Sequence, residues 1–363
     1  MRRVLHFMAD IQVSSGMAAV VMNYYRHIDR SRVQFDFLYF EDGPLSYEQE
    51  IRSLGGRTFR IPRPGPLSMG NIHAFFRAHQ GEFQILHCHP IWSAAVLGPV
   101  ARRYGVQAVF LHSHSEKPGE SGASILRNRL ILYLSAARVD TFLACSHAAE
   151  TALMGIPSSV YILPNAIDTH AFSFDSTARR LCRSQLGIAP ETPVIGHVGR
   201  MVEVKNHRFL LKAFSICHRA VPAAQLLLIG DGPLEQMLRT QAADLGIQGS
   251  VHFLGSRRDT RLLYAAMDVF AMPSLYEGLS MALLEAQASG LPCLASDTVS
   301  PESNVTNRMV RLPLEQPKDW AAAFEKQLKA PADRTRDVTE AFARRNLDIH
   351  TAVRQLTELY ERN

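Results

Sequence analysis

The sequence predicts an α/β protein made of two successive doubly wound domains with mostly parallel sheets, and three observations carry that expectation. Short apolar runs of strand length alternate with helix-forming segments along most of the chain. Loops containing a glycine follow several of those runs and open helices, at Gly16, Gly199 and Gly230. At 363 residues the chain is also longer than one hydrophobic core usually serves.

Element by element, Val4-Leu5-His6-Phe7-Met8 reads as a buried strand, 9–15 as a loop and 18–25 as an apolar helix. Strands at 35–40, 84–87, 108–112 and 141–144, a helix at 47–54 and a Pro/Gly-rich loop at 62–70 continue the alternation. Residues 172–189 are charged and turn-rich, and read as a linker. Beyond it, strands at 194–198, 225–229, 251–254, 269–272 and 293–295 alternate with helices at 206–219, 233–245, 259–267 and 280–288. The stretch 337–361 is helical in pattern. The expected division is therefore a first domain over 1–172 and a second over 173–339, with a helix over 340–363 packing back on the first. Sheets of this kind hold ligands beyond the carboxyl ends of their strands, so two of them face to face would form a cleft.

The densest chemical signal is Pro273-Ser274-Leu275-Tyr276-Glu277-Gly278-Leu279-Ser280-Met281-Ala282-Leu283-Leu284-Glu285-Ala286. Glu277 falls in a strand-to-helix loop, and Glu285 lies about one and a half turns inside the following helix. Between them Gly278, Leu279 and Ser280 leave free backbone N–H groups at a positive helix end, and the glycine lets a ligand approach the main chain. That combination suits a phosphate. A solvated helix face would account for the two carboxylates without any ligand. The segment 279–288 is too apolar for a surface position, so Glu285 is expected to have a partner or a ligand.

After the strand 194–198 comes Gly199-Arg200-Met201-Val202-Glu203-Val204-Lys205-Asn206-His207. Two cations around one loop suit a diphosphate leaving group, because negative charge grows there as a sugar bond breaks. An ordinary charged surface loop is the alternative. Gly230-Asp231-Gly232-Pro233 also follows a strand and opens a helix, but it lacks the third glycine of a dinucleotide fingerprint. In the first domain Ser14-Ser15-Gly16 precedes a helix whose N-terminus could reach the same phosphates, a plain helix-starting turn being equally consistent. His87-x-His89 and His112-x-His114 each end a strand, where residues two apart share a face and a metal is conceivable. No acidic or cysteine ligand accompanies either pair, so no metal is expected. His112 reads instead as a polar group at the rim of the cleft, hydrogen-bonding a sugar hydroxyl.

Composition narrows the classes. Apolar residues at 47% and charged residues at 20% describe a globular interior. The formal charge of +5 fits an enzyme that handles diphosphates or works at an anionic membrane surface. No Lys/Arg block with interleaved aromatics appears, so nucleic acid is not an expected partner. Five cysteines without Cys-x-x-Cys spacing read as reduced core thiols of a cytoplasmic protein. The apolar stretch after Met1-Arg2-Arg3 breaks at Asp10, too early for a signal peptide, and no run is long enough to span a bilayer.

Together, Gly199-Arg200 with Lys205-Asn206, Gly230-Asp231-Gly232, Pro273-Ser274 with Glu277-Gly278 and Glu285-Ala286, and Pro164-Asn165-Ala166-Ile167-Asp168 resemble the family 4 glycosyltransferases of GT-B fold. The resemblance covers nearly the whole chain. Segments 22–30, Gln34-Phe35-Asp36-Phe37, His112-Ser113-His114 and Ala144-Cys145-Ser146 are similar to the bacterial enzymes that build exopolysaccharide or capsular repeat units.

This resemblance implies that Arg200 and Lys205 bind the donor diphosphate, Glu285 the ribose hydroxyls and Glu277 the transferred sugar. It also places the Gly278 and Leu279 amides near the phosphates or sugar, His112 near the reacting carbon, and Gly16 in the first-domain glycine loop. Gly199, Asn206, Gly230 and Ser280 complete the implied donor-binding set, and Glu277, His112, Arg200 and Lys205 are the implied catalytic residues. Where relatives often carry Gly-Gly-x-Glu, this chain has Ser15-Gly16-Met17-Ala18.

The implied activity is retaining and needs no metal or cofactor. It passes a sugar from a nucleotide donor, preferably a UDP-sugar, to a hydroxyl of a saccharide or lipid-linked saccharide at the inner face of the cytoplasmic membrane. Competing readings are a nucleotide-sugar epimerase or a phosphorylase on the same architecture, and a non-catalytic subunit of a polysaccharide assembly complex. A phosphorylase would need a cofactor-bearing lysine, and neither Lys205 nor Lys212 sits in a recognisable site for one. Retention of Glu277, Glu285, Arg200 and Lys205 together argues against the non-catalytic reading.

Overall fold

The computed structural model describes residues 1–65, 68–114, 122–151, 153, 159–330 and 332–363. The chain divides into two compact units, Met1–Ala166 with Ile349–Asn363, and Ile167–Asp348.

The first unit is built on seven strands: β1 (Arg2–Phe7), β2 (Val33–Tyr39), β3 (Thr58–Arg60), β4 (Ile85–Cys88), β5 (Ala108–Ser113), β6 (Thr141–Ala144) and β7 (Tyr161–Ile162). They form one parallel sheet in the order β3-β2-β1-β4-β5-β6-β7. Side chains alternate across it. Leu5, Phe7, Leu38, Leu86, Cys88, Val109 and Leu111 point to one face and pack with Ile72, Phe76, Ala94 and Leu97 of the helices Met69–Ala78 and Ser93–Arg103. The opposite face is ringed: register pairs His6 with Phe37 and with His87, and His87 with Phe110. Tyr25 of the helix Gly16–His27 packs against Phe37, and Tyr360 of the helix Ile349–Arg362 against His6, His87 and Phe110.

The second unit has six strands: β8 (Val194–Val198), β9 (Gln225–Ile229), β10 (Val251–Phe253), β11 (Val269–Met272), β12 (Cys293–Ser296) and β13 (Met309–Leu312). Their order is β10-β9-β8-β11-β12-β13, again parallel. Both faces are apolar. Ile195, Leu226, Leu228 and Ala271 pack with Leu210, Phe214, Trp320 and Phe324 on one side. Leu227, Phe270, Met272 and Ala295 pack with Leu263, Tyr264, Leu283 and Ala286 on the other. In each unit the sequence order of strands reverses beside the first strand, between β1 and β4 and between β8 and β11. Loops diverge at such a point and leave a crevice at the carboxyl ends of the strands.

The ten predicted strands are all present, four of them with identical limits. Three edge strands, β3, β7 and β13, were not foreseen: each is two to four residues long and carries too little apolar pattern to register. Residues 66 and 67 of the expected loop at 62–70 lie outside the described residues.

The predicted linker at 172–189 is largely a helix, Ser176–Gln185, capped by Asp175 Oδ1, which accepts from the Thr177 and Ala178 amides. Its buried face carries Ala178, Cys182 and Arg183, so the charge was mistaken for exposure. Arg183 is 2% exposed. It donates to the carbonyls of Ala266, Ala189, Pro190 and Thr192 and to Asp268.

The terminal helix expected over 340–363 is two helices, Thr339–Ala343 and Ile349–Arg362, separated where Asn346 takes a left-handed φ of 56°. Only the second belongs to the first unit, and the division between units falls at 166/167 where 172/173 was expected. Among the described residues no helix is long and apolar enough to cross a membrane.

Candidate active site

The loops after β8 and β11 flank the reversal point of the second sheet and carry the predicted cation and carboxylate. Lys205 ends a single 3-10 turn, Glu203–Lys205, and Asn206 follows in a left-handed conformation (φ 53°) before the helix His207–Ala220. Lys205 Nζ donates to Glu277 Oε2 in a direct ion pair, both side chains about four-fifths buried. The two loops also share a backbone bond, the Leu275 amide donating to the Val204 carbonyl at 2.8 Å.

The Glu277 loop is held from several sides. Ser296 and Thr298 hydroxyls donate to the Ser274 carbonyl, the Ser300 amide to the Glu277 carbonyl, and the Ser303 hydroxyl to the Gly278 carbonyl. A carboxylate and an ammonium held by so many bonds need little reorganisation to meet a ligand.

The glycine loop after β9 supports the first loop from beneath. Gly230 has φ 130° and Gly232 φ 156°. A Cβ on Gly230 would lie 2.2 Å from the Gly199 carbonyl oxygen, and one on Gly232 would lie 2.5 Å from that of Met201. The Gly199 amide donates to Ile229, and the Met201 amide to Asp231. The Gly-x-Gly pattern thus serves contact between two backbones. Arg200 is exposed, and no carboxylate pairs with it among the described residues.

Glu285 lies on the helix Met281–Ala288, where its Oε2 accepts from the Tyr264 hydroxyl at 2.9 Å. Sequence reasoning did not name Tyr264. Burial and the neighbouring Glu285 charge raise its pKa well above the usual tyrosine value, so it stays a donor. Ser280 is the extended N-cap of this helix, and its side chain makes no capping bond.

Beneath Lys205 lie two histidines that were also missed. His197 Nδ1 donates to the Ala271 carbonyl at 2.7 Å, and its ring meets that of His207 edge-on at 4.5 Å. Burial lowers the His197 pKa to about 4 and that of His207 to about 2, with Lys205 adding to both effects. Both rings are neutral at pH 7, so the positive charge here belongs to Lys205 and Arg200.

In the first unit the predicted residue Gly16 follows the loop after β1, and His112 stands near the end of β5. Gly16 opens the helix Gly16–His27, and the Ser15 hydroxyl accepts from the Ala18 amide. Gly16 is exposed, and an added Cβ would meet nothing within 4 Å. His112 departs from expectation: it is 2% exposed, inside the unit, where a rim position was predicted. It is one of five histidines in a continuous stack. His6 Nδ1 meets His89 Nε2 at 3.0 Å, His89 Nδ1 meets His114 Nε2 at 2.9 Å, and His87 Nδ1 meets the Tyr360 hydroxyl at 2.5 Å. The rings of His112 and His114 are 4.1 Å apart. Desolvation is the largest cause lowering every one of these pKa values, to about 3 for His6 and about 4 for His114.

Lys205, Glu277, Gly199 and Gly230 therefore form one cluster, with Glu285 on the adjoining helix and Gly16 and His112 in the other unit. Two parallel-sheet α/β units of this topology are the architecture of the GT-B fold. The model for Glycosyltransferase Family 4 matches residues 14–171 and that for Glycosyl transferases group 1 matches residues 192–330. EpsF of Bacillus subtilis (strain 168), a glycosyltransferase by name, is 35% identical over 99% of this chain and 96% of its own. The chain belongs to the family 4 glycosyltransferases. The UDP-Gal:alpha-D-GlcNAc-diphosphoundecaprenol alpha-1,3-galactosyltransferase of Escherichia coli is 26% identical over 78% of this chain and 76% of its own. The crystal structure of Anabaena Alr3699/HepE in complex with UDP and glucose shares the fold, with a TM-score of 0.81 at 20% identity over 99% of this chain and 100% of that one.

Proposed function

We propose that this protein is a retaining, metal-independent transferase that passes a sugar from a UDP-sugar to a hydroxyl of a lipid-linked saccharide in exopolysaccharide or capsule synthesis. The observation that carries the reading is the Lys205–Glu277 pair at the reversal point of the second sheet, with Glu285 on the next helix. In this reading Lys205 and Arg200 neutralise the departing diphosphate. Glu277, released from Lys205 as phosphate oxygens take its place, accepts hydroxyl protons of the sugar, and Glu285 accepts those of the ribose. The Gly278 and Leu279 amides point a positive helix end at the donor. In the same reading His112, whose buried Nε2 has no hydrogen-bond partner, serves the donor sugar near the reacting carbon. No side chain is assigned as a covalent nucleophile; a diphosphate oxygen takes the acceptor proton on the face that the leaving group vacates.

A uridine donor and a lipid-linked acceptor are favoured by the E. coli relative's printed substrates and by the UDP in the HepE complex. Contact with the inner face of the cytoplasmic membrane is favoured by the net charge of +5. It is also favoured by the helix Gly122–Ala136, where Leu126, Leu130 and Tyr133 are exposed beside Arg127 and Arg129. The test is incubation with UDP- and GDP-sugars and undecaprenyl-diphosphate-linked acceptors in the presence of EDTA, following nucleoside diphosphate release and the anomeric configuration of the product. Release only with added metal, or an inverted product, overturns the mechanism; no acceptor-dependent release from any donor overturns the reading.

A further inference from the structure

The five-histidine stack of the first unit has more ring nitrogens than hydrogen bonds to fill them. We propose that His89, His112 and His114 form a site for one divalent transition-metal ion of the zinc class, which inhibits transfer by occupying the nitrogen that His112 keeps open. One ring nitrogen from each of these histidines lies within 4.8 Å of the other two. Three imidazoles around tetrahedral zinc at about 2.0–2.1 Å sit about 3.4 Å apart, so modest ring rotations close the set.

The outer partners orient the three rings. His112 donates to the backbone at Leu163, and its Nε2 is buried with no partner. A ring that donates through one nitrogen presents a lone pair at the other. His89 meets His6 through Nε2 at 3.0 Å, which turns its Nδ1 toward His114. The His114 side chain is hydrogen-bonded by Asn165, which leaves its Nε2 facing His89.

A second set, His6, His87 and His89, is wholly buried, and its nitrogens are more fully engaged. His6 meets His89 and Tyr360, and His87 Nδ1 meets Tyr360. An all-imidazole set without a carboxylate selects zinc, cobalt, nickel or copper over magnesium or calcium. Three protein ligands leave a fourth position for water.

The test uses the full chain without a polyhistidine tag, made metal-free. Titrated Co²⁺ should give the ligand-field absorption of a tetrahedral site, saturating at one equivalent and displaced by Zn²⁺. Zn²⁺ should also raise the melting temperature. His114→Asn should abolish both effects while keeping its own cooperative melting transition; His89→Gln is the second variant should the first melt anomalously. Absence of the cobalt band, or an unchanged band in both variants, overturns the site. The inhibitory half rests on the role given to His112 above: saturating Zn²⁺ should lower diphosphate release at least tenfold, reversibly with EDTA, and the His114→Asn protein should be insensitive. A cobalt band together with zinc-insensitive transfer overturns that half alone and counts against His112, not against the site. Absence of transfer in metal-free protein counts against the proposed function instead, because cobalt binding is read without any substrate.

Discussion

Lys205 and Glu277 are 72 positions apart and form one ion pair, so each holds the other in place. Lys205→Ala should lower kcat/KM by about 10²–10³-fold, the scale for losing one charge stabiliser in a transition state. Glu285→Ala should be comparably damaging, and both variants should keep wild-type circular dichroism; wild-type turnover in either would count against the assignment. Tyr264→Phe is gentler. It leaves Glu285 one donor short, so the donor KM should rise about fivefold with kcat little changed, as expected for about 1 kcal/mol of uniform binding.

Histidine burial sets a pH dependence at this same scale. His207 is neutral in the folded protein with a pKa near 2, and His197 with one near 4, whereas an unfolded histidine titrates near 6.5. Below about 6.5 the unfolded chain binds protons that the folded one refuses, so stability present above that pH is lost progressively toward the folded values. Each histidine should cost on the order of 2 kcal/mol between pH 7 and pH 5. Urea titrations should give a shallower loss over that window in His207→Leu than in wild type; equal slopes would refute the account.

At the scale of elements, the helix 176–185 and the strand-end loops show how polar residues shape the second unit. Arg179, Arg183 and Arg334 donate to the carbonyls of Tyr264, Ala265, Ala266 and Met267, the last orphan groups of the helix Thr260–Ala266, and Arg179 and Arg183 also reach Asp268. Removing Arg183 takes its bonds from the Ala189, Pro190 and Thr192 carbonyls and leaves Arg179 as the remaining arginine at Ala266 and Asp268, so Arg183→Met should destabilise by about 3–5 kcal/mol, read from denaturant midpoints.

Gly230→Ala forces a Cβ into the Gly199 carbonyl at a φ that L-residues avoid. It should lower stability by about 2–4 kcal/mol and weaken donor binding, since the displaced loop carries Arg200 and Lys205. Denaturant midpoints and donor titrations check both; a fully stable Gly230→Ala protein would mean that the two loops are not in contact.

For the whole molecule, the decisive fact is that the last helix belongs to the first unit. Ile349, Ala352, Leu356 and Tyr360 are buried there, and Tyr360 holds His87. Deleting 349–363 should remove several buried side chains at about 1.5–3 kcal/mol each. The expected result in calorimetry is a markedly lower first transition, and an unchanged thermogram would exclude that packing.

What was legible in advance follows from range. Strands such as 194–198 and 269–272 were readable because both faces are buried and the apolar run is continuous. The loop position of Glu277 and the helical position of Glu285 were readable because loop and helix are contiguous in sequence. Arg183 was not, because a helix that buries an arginine looks exposed by composition. His6 and Tyr360 were not, because their approach to His87, His89 and His112 depends on the register of β1 with β4 and on a helix more than two hundred residues away.

By itself the chain's sequence determined the alternating α/β plan, the two sheets and the loops that follow β8, β9 and β11, since strand period, helix ends and glycine loops are local properties of neighbouring residues. Tertiary structure alone decided that Lys205 pairs with Glu277, that Tyr264 serves Glu285, that β3, β7 and β13 extend the sheets, and that five histidines share one face. Those outcomes depend on strand order and register, through which groups distant along the chain come within hydrogen-bonding reach.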